Sequence, residues 1–190
     1  VMTLKVIFEK ETYKILGAQA VGYEGVEKRI DVIATAIFAG LTADKLKDLE
    51  LSYAPPYSSA KDPVNMAGFI IENMKNGIVG QFYYEDIPSL QKRDDITLLD
   101  TRTVYEYMRG HAEGFINIPV DELRERLTEL DKSKPVYVMC QSGLRSYLAT
   151  RILMQNGFDA YNFAGGYRLY GTMYYDEVVS KNAYDCGMEK

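Results

Sequence analysis

The stretch Val136-Tyr-Val-Met-Cys140-Gln-Ser-Gly-Leu-Arg145-Ser146 holds the residue types best suited to covalent chemistry. A short apolar run rich in β-branched residues ends in a cysteine, an arginine follows at the fifth position after it, and a helical pattern begins at once. A thiol between a strand end and a helix N-terminus sits where its anion is favoured, and the thiolate is the nucleophile. The backbone N–H groups of Gln141, Ser142, Gly143 and Leu144 can curl into an anion-binding nest. Gly143 lets that curl pass through conformations other residues avoid. A lone cysteine after a strand is more often a small apolar filler. The polar loop, its glycine, Arg145 and a second strand end carrying Asp100-Thr-Arg102 weigh towards a functional thiolate.

Loop length selects the chemistry. The cysteine-dependent tyrosine phosphatases place their arginine at the sixth position after the cysteine. A ring one residue shorter makes a tighter cup, better matched to one sulfur atom than to a tetrahedral phosphate. That points to attack on a sulfane sulfur, carried by Cys140 as a persulfide. A phosphatase or arsenate reductase using the same thiolate is the weaker alternative. His111 could pair with Cys140 as a general base, but a nest and an arginine make a base unnecessary.

The elements that must hold this loop follow from pattern. Thr3–Phe8 and 14–21 read as strands of a hairpin. Val26, Ile30, Ile33, Ala34 and Ile37 have helical spacing, stopped by Gly40. Thr42 can cap a short helix carrying Leu46 and Leu49, and Asp62-Pro63 opens another that ends at Asn76-Gly77. From about residue 80 the order alternates. Strands are expected over 96–99, 115–118, 136–139 and 160–163. Helices are expected over 103–109, 120–130 and 144–156, with one more after Gly165-Gly166. Thr103 and Glu106 have capping-box spacing. Alternation of this kind implies a parallel sheet flanked by helices, with ligands beyond the carboxyl ends of the strands.

Composition narrows the partners. The 190 residues have ordinary hydrophobic (47%) and charged (26%) content and a net charge of −5, which offers no basic footprint for nucleic acid and no affinity for an anionic membrane. No apolar run reaches the length of a membrane span. One histidine and two distant cysteines, Cys140 and Cys186, are too few for a Cys/His zinc site, and nothing in the sequence points to an all-carboxylate one, so no metal is expected. The N-terminus lacks the sections of a secretory signal, so reduced thiols and a cytoplasmic location are expected.

Several motifs together carry a resemblance. Residues 80–190 resemble a rhodanese domain through Leu98-Leu-Asp100-Thr-Arg102, Gly110-His-Ala-Glu-Gly114-Phe-Ile-Asn117-Ile-Pro119, Cys140-Gln-Ser-Gly-Leu-Arg145-Ser146 and Phe163-Ala-Gly165-Gly166-Tyr-Arg-Leu-Tyr170. The resemblance implies that Cys140 carries the sulfur and that Gln141–Arg145 supply N–H donors to it. It further implies that Arg145 closes the loop with positive charge, that Asp100 and Arg102 are a framework beside the substrate, and that Gly165 and Gly166 form the pocket lip. Ala112 and Tyr170 replace the family's usual isoleucine and tryptophan.

Residues 1–79 resemble part of the C-terminal dimerisation domain of the flavin-dependent pyridine nucleotide-disulfide oxidoreductases. The carriers are Ile15-Leu-Gly-Ala-Gln19, Gly25-Val-Glu-Lys-Arg29-Ile-Asp31 and Tyr53-Ala-Pro-Pro-Tyr57-Ser-Ser-Ala-Lys-Asp-Pro63-Val-Asn65. The nearest subgroup in this likeness is coenzyme A-disulfide reductase fused to a rhodanese domain, acting on coenzyme A disulfide, persulfides or polysulfides. The expected fold is therefore α/β: a rhodanese-like parallel sheet flanked by helices, preceded by a truncated α+β dimerisation domain. The likeness implies a homodimer in the longer enzyme, with Tyr53 or Tyr57 reaching the partner's site. FAD, NAD(P)H and CoA are implied for that enzyme. This chain has no GxGxxG fingerprint and binds none of them in the usual way. A C-terminal piece of such a flavoenzyme, passing sulfur from a sulfane donor to a thiol acceptor, is the leading expectation. A dimerisation and persulfide-binding module without turnover is the alternative. Cys186, in the polar tail, could resolve a persulfide.

Overall fold

In the computed structural model, which describes residues 2–56 and 58–175, contacts divide the chain into two units, Val1–Ile78 and Val79–Lys190. The first opens with the expected hairpin: Met2–Phe8 (β1) pairs antiparallel with Ile15–Gly22 (β2). The helix Val26–Phe38 (α1) buries Arg29, Ile33 and Ala36, positions i, i+4 and i+7 of one face. Thr42 flanks a six-residue 3-10 helix, Ala43–Asp48, and makes no side-chain cap bond to it. The helix Pro63–Lys75 (α2) is closed at its start by Asp62, which accepts from the Val64 N–H while Asn65 accepts from the Asp62 N–H. Ile15, Ile33, Ala36, Ala43, Leu46, Val64 and Ile71 form the core of this unit.

The second unit is the α/β layer that alternation implied. Its strands are Gly80–Phe82 (β3), Thr97–Asp100 (β4), Ile116–Asn117 (β5), Val136–Met139 (β6) and Ala160–Phe163 (β7). They form one parallel sheet in the order β3-β7-β6-β4-β5. The helices are Ile87–Leu90 (α3), Val104–Met108 (α4), Leu144–Gln155 (α5) and Gly166–Met173 (α6). Strand β6 lies in the middle, and Val136, Val138 and Met139 are buried, as in a sheet covered on both faces. One core gathers Leu99, Val136, Val138, Leu153 and Phe158, and a second gathers Phe82, Met139, Phe163 and Tyr170.

The expected helix over 120–130 is absent. That segment is a run of tight turns with a single 3-10 turn at Leu127–Glu129. Its entry is tied to the β4 end, where Ile118 N–H bonds the Asp100 carbonyl and Val120 N–H the Thr101 carbonyl. Most of its bonds then close over three residues, as in Glu125 to Glu122 and Leu130 to Leu127. Leu123 and Leu130 still reach the core, so spacing identified the inward residues but not the backbone that carries them. Among the described residues no helix is long and apolar enough to cross a membrane.

Candidate active site

Three strand ends of the parallel sheet meet at one rim: β4 delivers Asp100–Arg102, β6 delivers Cys140, and β7 leads to Gly165-Gly166. Cys140 is 1% exposed. Gly143 N–H donates to its Sγ at 3.1 Å. Gly143 can do so because it adopts φ 110°, a conformation costly for a residue with a Cβ. The Ser146 hydroxyl lies 3.2 Å from Sγ and 3.1 Å from the Gly143 carbonyl. Its single proton can go to only one of them, and a negative sulfur is the stronger acceptor. The N-terminus of α5, 12 residues long and starting at Leu144, adds the positive end of its dipole beside the same atom.

The back of the loop is held by a second helix. Tyr167 N–H donates to the Cys140 carbonyl at 2.7 Å and Arg168 N–H to the Gln141 carbonyl at 3.1 Å. These are N–H groups of the first turn of α6, which have no partner within their own helix. Because each peptide is trans, the N–H groups of Gln141 and Ser142 then point away from α6. Gly166 allows this approach. A Cβ there would stand 2.5 Å from Ser142 N, 2.6 Å from Gln141 C and 2.7 Å from the Cys140 carbonyl oxygen, all backbone, and its φ is +66°. Gly166→Ala is therefore expected to displace the loop and to lower the reactivity of Cys140 as a nucleophile by about 100-fold. Gly171→Ala, on the same helix with nothing within 4 Å, is the control. Equal Cys140 reactivity in the two variants would refute the packing argument.

Asp100 and Arg102 are buried together. Arg102 Nε and Nη2 bond the Asp100 carboxylate at 2.9 and 2.7 Å. Arg102 Nη2 also donates to the Gly110 carbonyl at 2.8 Å, and Nη1 reaches Gln141 Oε1 at 3.5 Å. The Tyr167 ring covers the guanidinium at 3.9 Å. The pair thus braces the Cys140 loop rather than facing out towards a substrate.

Arg145 differs from expectation. Its guanidinium is turned to Glu106, bonded at 2.6 Å through Nη1 and 2.7 Å through Nη2. Glu106 also completes the capping box of α4, accepting from Thr103 N–H at 2.9 Å. The Arg145 hydrogen bonds, foremost among the causes, hold the Glu106 carboxyl down to about 2. The same pairing raises Arg145.

Cys140–Arg145, Asp100, Arg102, Gly165 and Gly166 thus share one rim, with the Leu144 side chain largely exposed on it. Tyr53 belongs to the first unit and is exposed. Tyr57 and Cys186 lie outside the described residues. His111 stacks on Tyr107 at 3.9 Å, with Nδ1 3.2 Å from the Tyr107 carbonyl. Two partners of the site lie outside the predicted loop: Ser146, one position beyond it, and Glu106, whose spacing from Thr103 marks only a helix cap.

Two family models match the chain. The rhodanese-like domain matches residues 84–172, and the pyridine nucleotide-disulphide oxidoreductase dimerisation domain matches residues 1–63. The crystal structure of reduced Bacillus anthracis CoADR-RHD is similar at TM-score 0.89 and 48% identity, over 93% of this chain and 32% of that one. A NAD-dependent persulfide reductase from A. fulgidus is similar at TM-score 0.76 and 43% identity, over 87% of this chain and 29% of that one. A coenzyme A disulfide reductase of Staphylococcus aureus is 50% identical over 66 residues, 35% of this chain and 15% of that protein. The chain therefore spans under a third of the length of these relatives.

Proposed function

We propose that Cys140 is the sulfur carrier of a persulfide-handling oxidoreductase, a reading supported by the match of residues 84–172 to the rhodanese-like domain and of residues 1–63 to the dimerisation domain of the pyridine nucleotide-disulphide oxidoreductases. The observation that carries this reading is the pair of donors, Gly143 N–H and the Ser146 hydroxyl, set at 3.1 and 3.2 Å from the Cys140 sulfur. They stabilise negative charge on that atom and on an added sulfur drawn into the same loop.

In the first step the Cys140 thiolate attacks the outer sulfur of a donor. One S–S bond forms, the donor's bond to that sulfur breaks, and the electron pair leaves with sulfite or a thiolate. In the second step an acceptor thiolate attacks the outer sulfur of the Cys140 persulfide, and Cys140 departs as the thiolate. The longer enzyme would act on coenzyme A disulfide, persulfides or polysulfides. Among the described residues the turns after β4, β6 and β7 are Thr101–Thr103, Cys140–Gly143 and Ala164–Gly165, and none has the GxGxxG pattern of a turn leading into a dinucleotide site, which supports placing FAD and NAD(P)H outside these residues. Those cofactors, with coenzyme A, would be held elsewhere in the longer enzyme.

Mass spectrometry of the chain after exposure to thiosulfate and to an organic persulfide tests the proposal. Cys140 is expected to gain about 32 Da, one sulfur atom, and to lose it to an added thiol. The burial of Cys140 favours a second reading, a module that holds a persulfide without turning it over. Loading with no discharge would select that reading.

We further infer that the first unit pairs with a second copy. Leu16, Val21, Tyr23 and Phe38 are exposed on it, and an open pocket of about 550 Å³ is lined by Val32, Leu41, Leu49 and Leu51 with Glu27, Lys28 and Asp31 among its polar residues. Sedimentation of the chain should show a dimer, converted to monomer by Tyr23→Asp with Phe38→Asp. A monomeric parent chain would count against it.

A further inference from the structure

Arg145 is the charged group that an anionic donor would be expected to meet at the mouth of the loop, yet each of its terminal nitrogens donates to Glu106 and its charge is paired there. Glu106 is fixed independently of Arg145: its Oε2 accepts from Thr103 N–H at 2.9 Å and from the Thr103 hydroxyl at 3.0 Å, within the capping box of α4. A carboxylate placed by a local motif thus waits for the guanidinium, 39 residues further along the chain. A second guanidinium beside the loop, Arg102, is likewise paired, with Asp100. The site therefore presents two internally neutralised ion pairs next to the N–H dipoles and the α5 N-terminus.

We propose that Glu106 is a specificity-determining residue. By occupying Arg145 it disfavours the dianionic donor thiosulfate relative to organic persulfides, which bring at most one charge to the sulfur. This rests on the reading of Cys140 as the sulfur carrier. The charge argument is simple. With thiosulfate the thiolate must approach a dianion, and sulfite, itself a dianion, must leave with the electron pair of the broken S–S bond. A bidentate guanidinium would stabilise that charge, but here it already has a carboxylate. With an organic persulfide the departing group is a monoanionic thiolate, and the missing guanidinium matters less. The Glu106 carboxyl, held down to about 2, keeps its charge at neutral pH, so the occupation persists.

The test is a competition at Cys140. The chain is loaded with thiosulfate or with glutathione persulfide, and the two rates are read from the mass gained at Cys140. Glu106→Gln keeps an oxygen for the Thr103 N–H but loses the charge that holds Arg145. It is expected to raise the thiosulfate-to-persulfide rate ratio about tenfold or more, the scale of one charged hydrogen bond. Adding Arg145→Leu should abolish that rise. Glu106→Asp, one methylene shorter, is a second way to free the guanidinium and should move the ratio in the same direction. An unchanged ratio in both Glu106 variants, or a rise that survives Arg145→Leu, overturns the proposal alone. Failure of both donors to load Cys140 in the unaltered chain overturns the sulfur-carrier reading and this inference with it.

Discussion

Cys140→Ser is expected to abolish sulfur loading and transfer, by about 10,000-fold or more, while leaving the fold intact. The reaction needs a sulfur nucleophile that can form an S–S bond, and a hydroxyl cannot supply one. The substitution is conservative in space. Cys140 is buried at the end of a central strand, and a serine oxygen can still accept from Gly143 N–H and Ser146. The change should therefore show in rate rather than stability: thermal unfolding close to that of the parent, with no mass gain at position 140 from any sulfane donor. Sulfur transfer retained within tenfold of the parent would mean that another group carries the sulfur, and the reading of the whole rim would fall with it.

The sequence was legible where the determinants are local. The run Val136–Met139 followed by a glycine-bearing loop and an apolar helix yields β6, the Cys140 loop and α5 at nearly their observed bounds. Asp62-Pro63 and the Thr103–Glu106 spacing both mark helix starts that the structure contains. It was not legible where the determinant lies far along the chain or where two backbones satisfy one pattern. The 120–130 leucines could sit on a helix or on successive tight turns. The ties of Ile118 and Val120 to the β4 end decide for turns. The three-residue β3 is too short to carry an alternation. At the site, Glu106 and Arg145 meet across 39 positions. The α6 N-terminus reaches the loop carbonyls across 27. Only the sheet order, which sets β7 beside β6 and β4 on its other side, brings these groups together.

The same sheet order makes Asp100 the most consequential structural carboxylate of the second unit. It is fully buried, and its partner Arg102 is 2% exposed. Asp100→Ala would leave a guanidinium enclosed with only the Gly110 carbonyl and Gln141 as acceptors. Removing one partner of a buried pair costs about 3–5 kcal/mol, because the remaining charge is uncompensated. A fall of that size in unfolding free energy is expected by denaturant titration. Exposed Arg93–Asp95 makes hydrogen bonds just as short, yet Asp95→Ala should change stability little, since water solvates either partner alone. The two outcomes separate burial from geometry as the origin of the effect. Arg102→Met should be comparably harmful, leaving Asp100 to the Arg102 backbone N–H. The double variant Asp100→Ala with Arg102→Met should be less destabilised than the two losses summed, by about 1–3 kcal/mol, because it leaves no lone charge behind. Strict additivity would show that the pair acts through separate neighbours. Coupling of that size would show a single brace, one that reaches Cys140 through Gln141 and through Tyr167, whose ring covers Arg102 and whose backbone N–H holds the Cys140 carbonyl.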